Sequence, residues 1–403
     1  MPHGQLFRPN RIVRKVKQNE YNMSNENIIN RVEDIAPVKG KKTRVIIAGG
    51  GTGGHIFPAL AIAAALKSQE PGIEILFVGA KGKMEMEKIP EAGFKIIGLT
   101  ITGYNRSSLI RNITLPLKLA QSFFQVTAIL RSFKPDAIIG VGGYSSFPVL
   151  RVAQTRRTPT FIHESNSLPG RSNIMLGKRA TKIFVAVEGM KKYFPENRIV
   201  ITGNPVRNIF SEKISKQEAL GFFGLKPEMK TVFVMGGSLG ARSINETIDS
   251  NIDAFKRNNL QLIWQTGKLY AGLAAKAEEE KSNIWTNAFI THMEYAYNAA
   301  DVVVARAGAM TIAEICVVGK AAVFVPYPFA SEDHQAENAL AMVRKHAALM
   351  VRDADVKTKL IDTVLQLVQD EKLIHQLETN ISKMANTYAD ETIANEILKT
   401  IKK

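Results

Sequence analysis

The chain has a single cysteine, Cys316, among its 403 residues. That excludes a disulfide framework and a cysteine metal cage, and it fits a reducing compartment. No apolar run reaches about 18 residues, so no membrane-spanning helix is expected. The N-terminal stretch is charged but lacks an apolar h-region, which argues against a signal peptide. No G-x-x-x-x-G-K-[ST] sequence occurs, which disfavours a P-loop kinase or ATPase. The seven histidines are scattered, with no His/Asp cluster at metal-ligand spacing, so neither a metal nor another cofactor is expected.

Acidic residues are scarce in one half only. Residues 1–229 hold 34 Lys+Arg against 16 Asp+Glu, a net of +18, whereas residues 230–403 hold 19 against 21, a net of −2. The excess implies an anionic partner for the first half: nucleic acid, a phosphate-bearing substrate or a membrane. No RNA- or DNA-binding signature or aromatic stacking motif accompanies it, so a nucleic-acid partner is not expected. Salt-dependent RNA binding that survives loss of Glu314 would mark that alternative.

What is present is a strand–helix alternation that occurs twice. Residues 1–42 are polar and basic and are expected to form a disordered tail, within which Met23 offers an alternative start. Arg44–Ala48 reads as a short buried strand, and Gly49-Gly50-Gly51-Thr52-Gly53-Gly54 leads from it into a helix from His55 to about Lys67. Further strands are expected at Ile73–Gly79, Ala137–Gly140, Thr160–Ile162 and Ile183–Ala186. The pattern restarts with the strand Thr231–Met235, the loop Gly236-Gly237-Ser238-Leu239-Gly240-Ala241 and a helix near Arg242. Strands at Leu262–Trp264, Asp301–Val304 and Ala322–Val325 follow. The fold class is therefore α/β, with two doubly wound parallel-sheet lobes and an interdomain cleft. The boundaries are 43–206 for the first lobe, 207–229 for a linker and 230–403 for the second lobe, whose last helix could pack back on the first.

A glycine-rich turn entering a helix presents free amide hydrogens and the positive end of the helix dipole to a phosphate. The first loop matches G-x-G-x-x-G at Gly49, Gly51 and Gly54. A dinucleotide site would require an acid at the end of the second strand, and that strand ends Val78-Gly79-Ala80-Lys81. Phosphate binding is thus favoured over NAD. Two such loops imply two phosphorylated ligands, one per lobe.

The motif order is more specific than any single loop. AGGGTGGHIFP at Ala48–Pro58, Gly142-Gly143-Tyr144, His163-Glu164-Ser165-Asn166 and Gly203-Asn204-Pro205-Val206-Arg207 resemble the MurG family of glycosyltransferases. So do Gly236-Gly237-Ser238 with Gly240-Ala241, Arg306–Thr311 with Glu314, and Asp333-His334-Gln335 before Asn338-Ala339. The resemblance runs from Thr43 to Lys403. Leu239 replaces the family's usual glutamine, and the tail has no counterpart.

The resemblance implies a GT-B fold and an inverting transfer of N-acetylglucosamine from UDP-N-acetylglucosamine to the 4-hydroxyl of the muramyl sugar of lipid I, giving lipid II for peptidoglycan. It also implies site roles. Ser238 and adjacent backbone would meet the diphosphate and Ile290 the uracil. Ala309, Met310, Thr311, Ile312 and Ala313 would form the turn behind the nucleotide, with Glu314 on the ribose. Gln335 and His334 would read sugar hydroxyls. Thr52, Gly53 and Gly54 would face the donor or the acceptor pyrophosphate, with Asn166 and Arg207 reaching the donor across the cleft. His55 is the favoured general base because a helix N-terminus keeps an imidazole neutral, and Glu164 is its competitor. A related UDP-sugar enzyme, such as a glycolipid galactosyltransferase or a 2-epimerase, is the alternative of the same shape.

Lipid I remains in the bilayer, so a membrane-facing surface is required. Residues 95–134 carry six cations (Lys95, Arg106, Arg111, Lys118, Arg131, Lys134) and no acid. Interleaved are Leu109, Ile110, Ile113, Leu115, Leu117, Leu119, Phe123 and Phe124, a composition suited to an interfacial patch on anionic lipid. Phe123 and Phe124 are expected to pack on the sheet. The expected location is the cytoplasmic face of the inner membrane, held peripherally.

Overall fold

The computed structural model describes residues 42–102, 115–207, 210, 214–237, 240–272, 283–330 and 333–402. Residues up to 41 and the segment with Arg106, Leu109, Ile110, Arg111 and Ile113 lie outside the described residues, as do Ser238 and Leu239.

Two parallel sheets organise the chain. The first contains β1 (Arg44–Ala48), β2 (Glu74–Ala80), β3 (Lys95–Leu99), β4 (Ala137–Gly140), β5 (Thr160–Glu164), β6 (Lys182–Val185) and β7 (Ile199–Ile201), in the order β3-β2-β1-β4-β5-β6-β7. The second contains β8 (Lys230–Met235), β9 (Leu260–Gln265), β10 (Ile284–Asn287), β11 (Val302–Ala305), β12 (Ala321–Phe324) and β13 (Leu349–Met350), in the order β10-β9-β8-β11-β12-β13. Every pairing is parallel, which requires crossover helices on both faces. The central strands are accordingly apolar at consecutive positions. Val45 and Ile47 enter one core layer, while Ile46 and Ala48 enter the layer on the opposite face. Phe233 and Val234 divide in the same way between the two layers of the second sheet.

The first-lobe helices are α1 (Gly53–Gln69), α2 (Glu85–Glu91), α3 (Leu115–Phe133), α4 (Ser146–Thr155) and α5 (Arg171–Gly177). They are followed by α6 (Lys216–Phe223), α7 (Arg242–Ser250), α8 (Ile252–Arg257), α9 (Met293–Ala299), α10 (Ala309–Val318), α11 (His334–Val343), α12 (Val356–Gln369), α13 (Glu371–Ser382) and α14 (Ala389–Ile401). The last helix belongs to the first sheet's core. Ile393, Ala394, Ile397 and Leu398 are buried with Ile56, Ile62 and Leu66 of α1. Each large apolar side chain so buried contributes roughly 1.5–3 kcal/mol. Lys402 pairs with Glu70 at 3.1 Å on the rim of this contact.

The sheets are joined twice, by the segment after β7 and by the segment before α14. These cross at Gly203, whose φ of +76° suits glycine and whose absent Cβ would lie 2.8 Å from Asn386 Cβ. Gly203→Ala is expected to destabilise the fold by about 1–3 kcal/mol, read as a lower urea midpoint with an unchanged slope.

Candidate active site at the lobe junction

In each sheet the strand order reverses beside its first strand, between β1 and β4 and between β8 and β11. Open α/β sheets bind ligands at the carboxyl ends of such strands. The glycine turns sit there.

In the first lobe the chain leaves β1 through Gly49–Gly51 and enters α1 with Thr52 as an extended N-cap that makes no side-chain capping bond. Thr52 and Gly54 are exposed, so the opening amides of α1 face solvent. The turn is braced from below by Glu85, only 1% exposed, whose carboxylate accepts from Gly51 N at 2.8 Å and Ala80 N at 3.0 Å. It is braced laterally by the β4–α4 turn, where Gly142 O accepts from Gly50 N at 3.3 Å. A Cβ on Gly142 would lie 2.7 Å from the His55 ring, so glycine there is what admits the imidazole.

His55 Nδ1 lies 2.9 Å from Gly50 O. A carbonyl oxygen can only accept, so Nδ1 carries the hydrogen and Nε2 carries the lone pair of the neutral ring. Burial lowers the His55 pKa, opposed by the Gly50 bond and by the fields of Glu164 and Glu85, and reinforced by His334. His163, fully buried near the end of β5, is depressed to about 4, chiefly by desolvation.

Glu164, 3% exposed, has both oxygens engaged. Oε1 accepts from Asn166 N (3.0 Å) and Asn166 Nδ2 (3.2 Å), and Oε2 accepts from Gly170 N (3.1 Å) and Asn173 Nδ2 (2.8 Å). Four donors use the four lone-pair directions of a carboxylate. This geometry makes Glu164 the fastener of the loop after β5.

That loop touches the second lobe. Asn338 of α11 accepts from Ser167 N at 3.0 Å and donates to Asn166 Oδ1 at 3.4 Å and Ala307 O at 3.3 Å. Asn204 Nδ2 bridges Ser165 O (3.1 Å) and Ala309 O (3.4 Å). Two buried amides thus tie the first lobe's loop to the start of α10.

In the second lobe, α7 and α10 begin at Ala241 and Gly308, neither with a side-chain capping bond. The turn before α7 is tight: a Cβ on Gly240 would lie 2.2 Å from Thr266 O. Ala309, Met310, Thr311, Ile312 and Ala313 form the opening of α10, with Met310 and Ile312 buried in the core. Glu314, one turn on, accepts from Tyr297 Oη at 3.1 Å. Burial raises the Glu314 pKa to about 7, opposed by Arg207 and the Tyr297 bond. The Arg207 guanidinium lies between the Phe57 and Phe210 rings, at 5.1 and 4.8 Å, and its buried Nε has no partner among the described residues. Ile290 is buried, and its N–H donates to Gln265 Oε1 at 3.0 Å. Gln335 Oε1 accepts from Tyr327 N at 3.0 Å, and neighbouring His334 lies within electrostatic reach of His55.

The junction therefore gathers Thr52, Gly54, His55, Asn166, Arg207, the start of α10 and His334. Glu85 escaped sequence reasoning, since nothing marks it among the acids of residues 85–91. Asn204 and Asn338 lay inside recognised motifs, but only the fold reveals that they bridge lobes. Arg306 is a structural tie in the same region: it donates to Val325 O, Pro326 O, Asp353 Oδ1 and Ser243 Oγ.

Two parallel α/β lobes with helix N-termini free of side-chain capping bonds at a shared junction define a fold of GT-B type. Profiles of the glycosyltransferase family 28 N-terminal and C-terminal domains match residues 45–185 and 231–396. A UDP-N-acetylglucosamine--N-acetylmuramyl-(pentapeptide) pyrophosphoryl-undecaprenol N-acetylglucosamine transferase of Parabacteroides distasonis is 49% identical over 90% of this chain and 100% of its own. The enzyme so named from Cytophaga hutchinsonii is 47% identical over 90% and 98%. The crystal structure of Acinetobacter baumannii MurG superposes with a TM-score of 0.72 at 26% identity, over 89% of this chain and 100% of that one. A Neisseria meningitidis UDP-GlcNAc 2-epimerase, 14% identical with a TM-score of 0.62 over 89% and 100%, shares the fold alone. The chain belongs to the MurG family.

The buried His163 makes stability pH-dependent. The unfolded imidazole titrates near 6.5 and the folded one near 4, so the unfolded chain binds more protons between these values. The stabilisation is complete above 6.5 and is lost as pH falls toward 4. His163 alone should cost about 2 kcal/mol at pH 5 relative to pH 8. Urea midpoints across this range should flatten correspondingly in His163→Asn.

Proposed function

We propose that the lobe junction performs a single in-line displacement, with His55 as general base and the helix N-termini and Arg207 stabilising the departing diphosphate. The enzyme transfers N-acetylglucosamine from UDP-N-acetylglucosamine to the 4-hydroxyl of the muramyl sugar of lipid I, forming lipid II with inversion. The hydroxyl proton passes to His55 Nε2 as the oxygen bonds to the anomeric carbon. The anomeric C–O bond breaks with its electron pair leaving on UDP.

One observation carries this reading. An imidazole with its lone pair fixed on Nε2 stands at an uncapped helix start, while Asn204 and Asn338 bring the start of α10 to the same place. Glu164 is the weaker candidate for the base because its oxygens are already occupied by four donors. Arg207 suits the leaving group, since its buried Nε awaits an acceptor. In the second lobe, Ser238 and the first amides of α7 meet the donor diphosphate, and Ile290 forms the floor under uracil. Residues Ala309–Ala313 back the nucleotide, Glu314 accepts from the ribose, and Gln335 with His334 reads the sugar. Thr52, Gly53, Gly54 and Asn166 complete the first lobe's side.

Helix α3 supplies the membrane side. Leu117 and Phe124, two helical turns apart, are 74% and 77% exposed, and Arg131 in the last turn and Lys134 just past it are also exposed. Phe123 packs on the core as expected, whereas Phe124 points outward because its position falls on the opposite stripe of the helix. Among the described residues no helix is long and apolar enough to cross a membrane. We place the enzyme peripherally on the anionic cytoplasmic leaflet of the inner membrane, where a nucleotide sugar and a lipid-linked acceptor meet.

Incubation with UDP-N-acetylglucosamine and a lipid I analogue should yield the disaccharide, and its absence would refute the assignment. His55→Ala should lose at least about 100-fold in kcat while retaining UDP affinity. Phe124→Asp should weaken co-sedimentation with phosphatidylglycerol vesicles, yet leave turnover of a short-chain soluble acceptor intact.

A further inference from the structure

The peptide unit joining Gly50 and Gly51 is gripped from both ends. Its carbonyl oxygen accepts from His55 Nδ1 at 2.9 Å, and its N–H donates to Glu85 Oε2 at 2.8 Å. We infer that Glu85 is a positioning residue for the base, acting through this peptide as the distal member of a carboxylate–amide–imidazole relay. The inference rests on the reading of His55 as base.

The packing enforces the relay. Glu85 is only 1% exposed, and its second oxygen is held by Ala80 N at 3.0 Å, so the carboxylate cannot swing away. A Cβ on Gly50 would meet the Glu85 carboxyl carbon at 2.4 Å, so only glycine lets the peptide plane lie against it. A buried carboxylate with two amide donors polarises both of them. In a hydrogen-bonded chain that polarisation makes the Gly50 oxygen a stronger acceptor for the imidazole N–H. As the acceptor hydroxyl gives its proton to Nε2, positive charge appears on the ring and the Nδ1–H···O bond tightens. The Gly51 N–H then leans further on Glu85. No proton crosses the amide.

Other charged groups face His55: Glu164 and His163 from β5 and its end, and His334 from α11. Glu164 acts only through space, because its oxygens bind residues of the following loop and of α5. Glu85 differs by a continuous hydrogen-bonded path.

The experiment uses the full-length enzyme labelled with ¹⁵N-histidine, with the His55 signals assigned by their loss in His55→Gln. In Glu85→Gln the His55 titration midpoint should fall by roughly half a unit or more, because the favourable negative charge is gone. The acid limb of kcat/KM should move to lower pH with it, and the plateau kcat should drop by about tenfold, while UDP affinity holds. Glu85→Asp, which keeps the charge on a shorter side chain, should recover part of both changes. If Glu85→Gln does not fold, Glu85→Asp is compared directly with the wild type, and its His55 midpoint should lie below the wild-type value. A midpoint and acid limb that stay at wild-type values in the folded variant would overturn the relay and reduce Glu85 to a loop brace. The base reading fails separately: it falls if His55→Gln turns over near normally, and it survives if that variant is inactive while the Glu85 variants leave the midpoint unmoved.

Discussion

The structure depends on the mutual approach of two glycine turns, those after β1 and β4. Gly50 N donates to Gly142 O, the His55 ring rests on Gly142, and Glu85 fills the space beneath Gly50. None of these contacts tolerates a side chain on the facing backbone. The turns can therefore expose the amides of α1 and hold an imidazole in one tautomer simultaneously. A looser turn would offer the same amides without fixing the imidazole. On the proposed mechanism, proton acceptance and phosphate recognition would both follow from this one packing constraint.

The second constraint is the joining of the lobes. The contacts between the loop after β5 and the start of α10 run through side-chain amides: Asn204 donates to Ser165 O and Ala309 O, and Asn338 accepts from Ser167 N while donating to Ala307 O. Amides suit a junction that must orient without adding charge, because the neighbouring groups already include Arg207, Glu314, His55 and His334. A further ion pair would perturb each of these. An apolar contact would fix no rotation.

The sequence revealed the central strands of both sheets, since β1, β4, β8 and β11 are buried on both faces and read as short apolar runs. The edge strands were less legible. β3 alternates exposed and half-buried positions and contains Gly98, β7 is only three residues long, and β13 only two. Their pairing depends on the neighbouring strand rather than on their own pattern. The first glycine turn and the position of His55 at its end were legible because a strand, a glycine run and a helix start coincide there. Glu85 was not, because its importance comes from a contact made across the sheet's end by a residue 34 positions from Gly51. Phe124 was misjudged for a related reason: the buried stripe of α3 runs through Ser122, Val126 and Leu130, and the sequence alone does not say which of the two adjacent aromatics lies off it.

The placement of α14 has a consequence for how the molecule is made. Ile393, Ala394, Ile397 and Leu398 complete the hydrophobic layer begun by β1 and α1, more than 300 residues earlier in synthesis. During translation the first lobe must wait with that layer uncovered while the entire second lobe emerges. The ribosome thus releases a nascent chain whose earliest-made half is the last to finish folding, an interval in which the uncovered face of α1 is a natural target for chaperones.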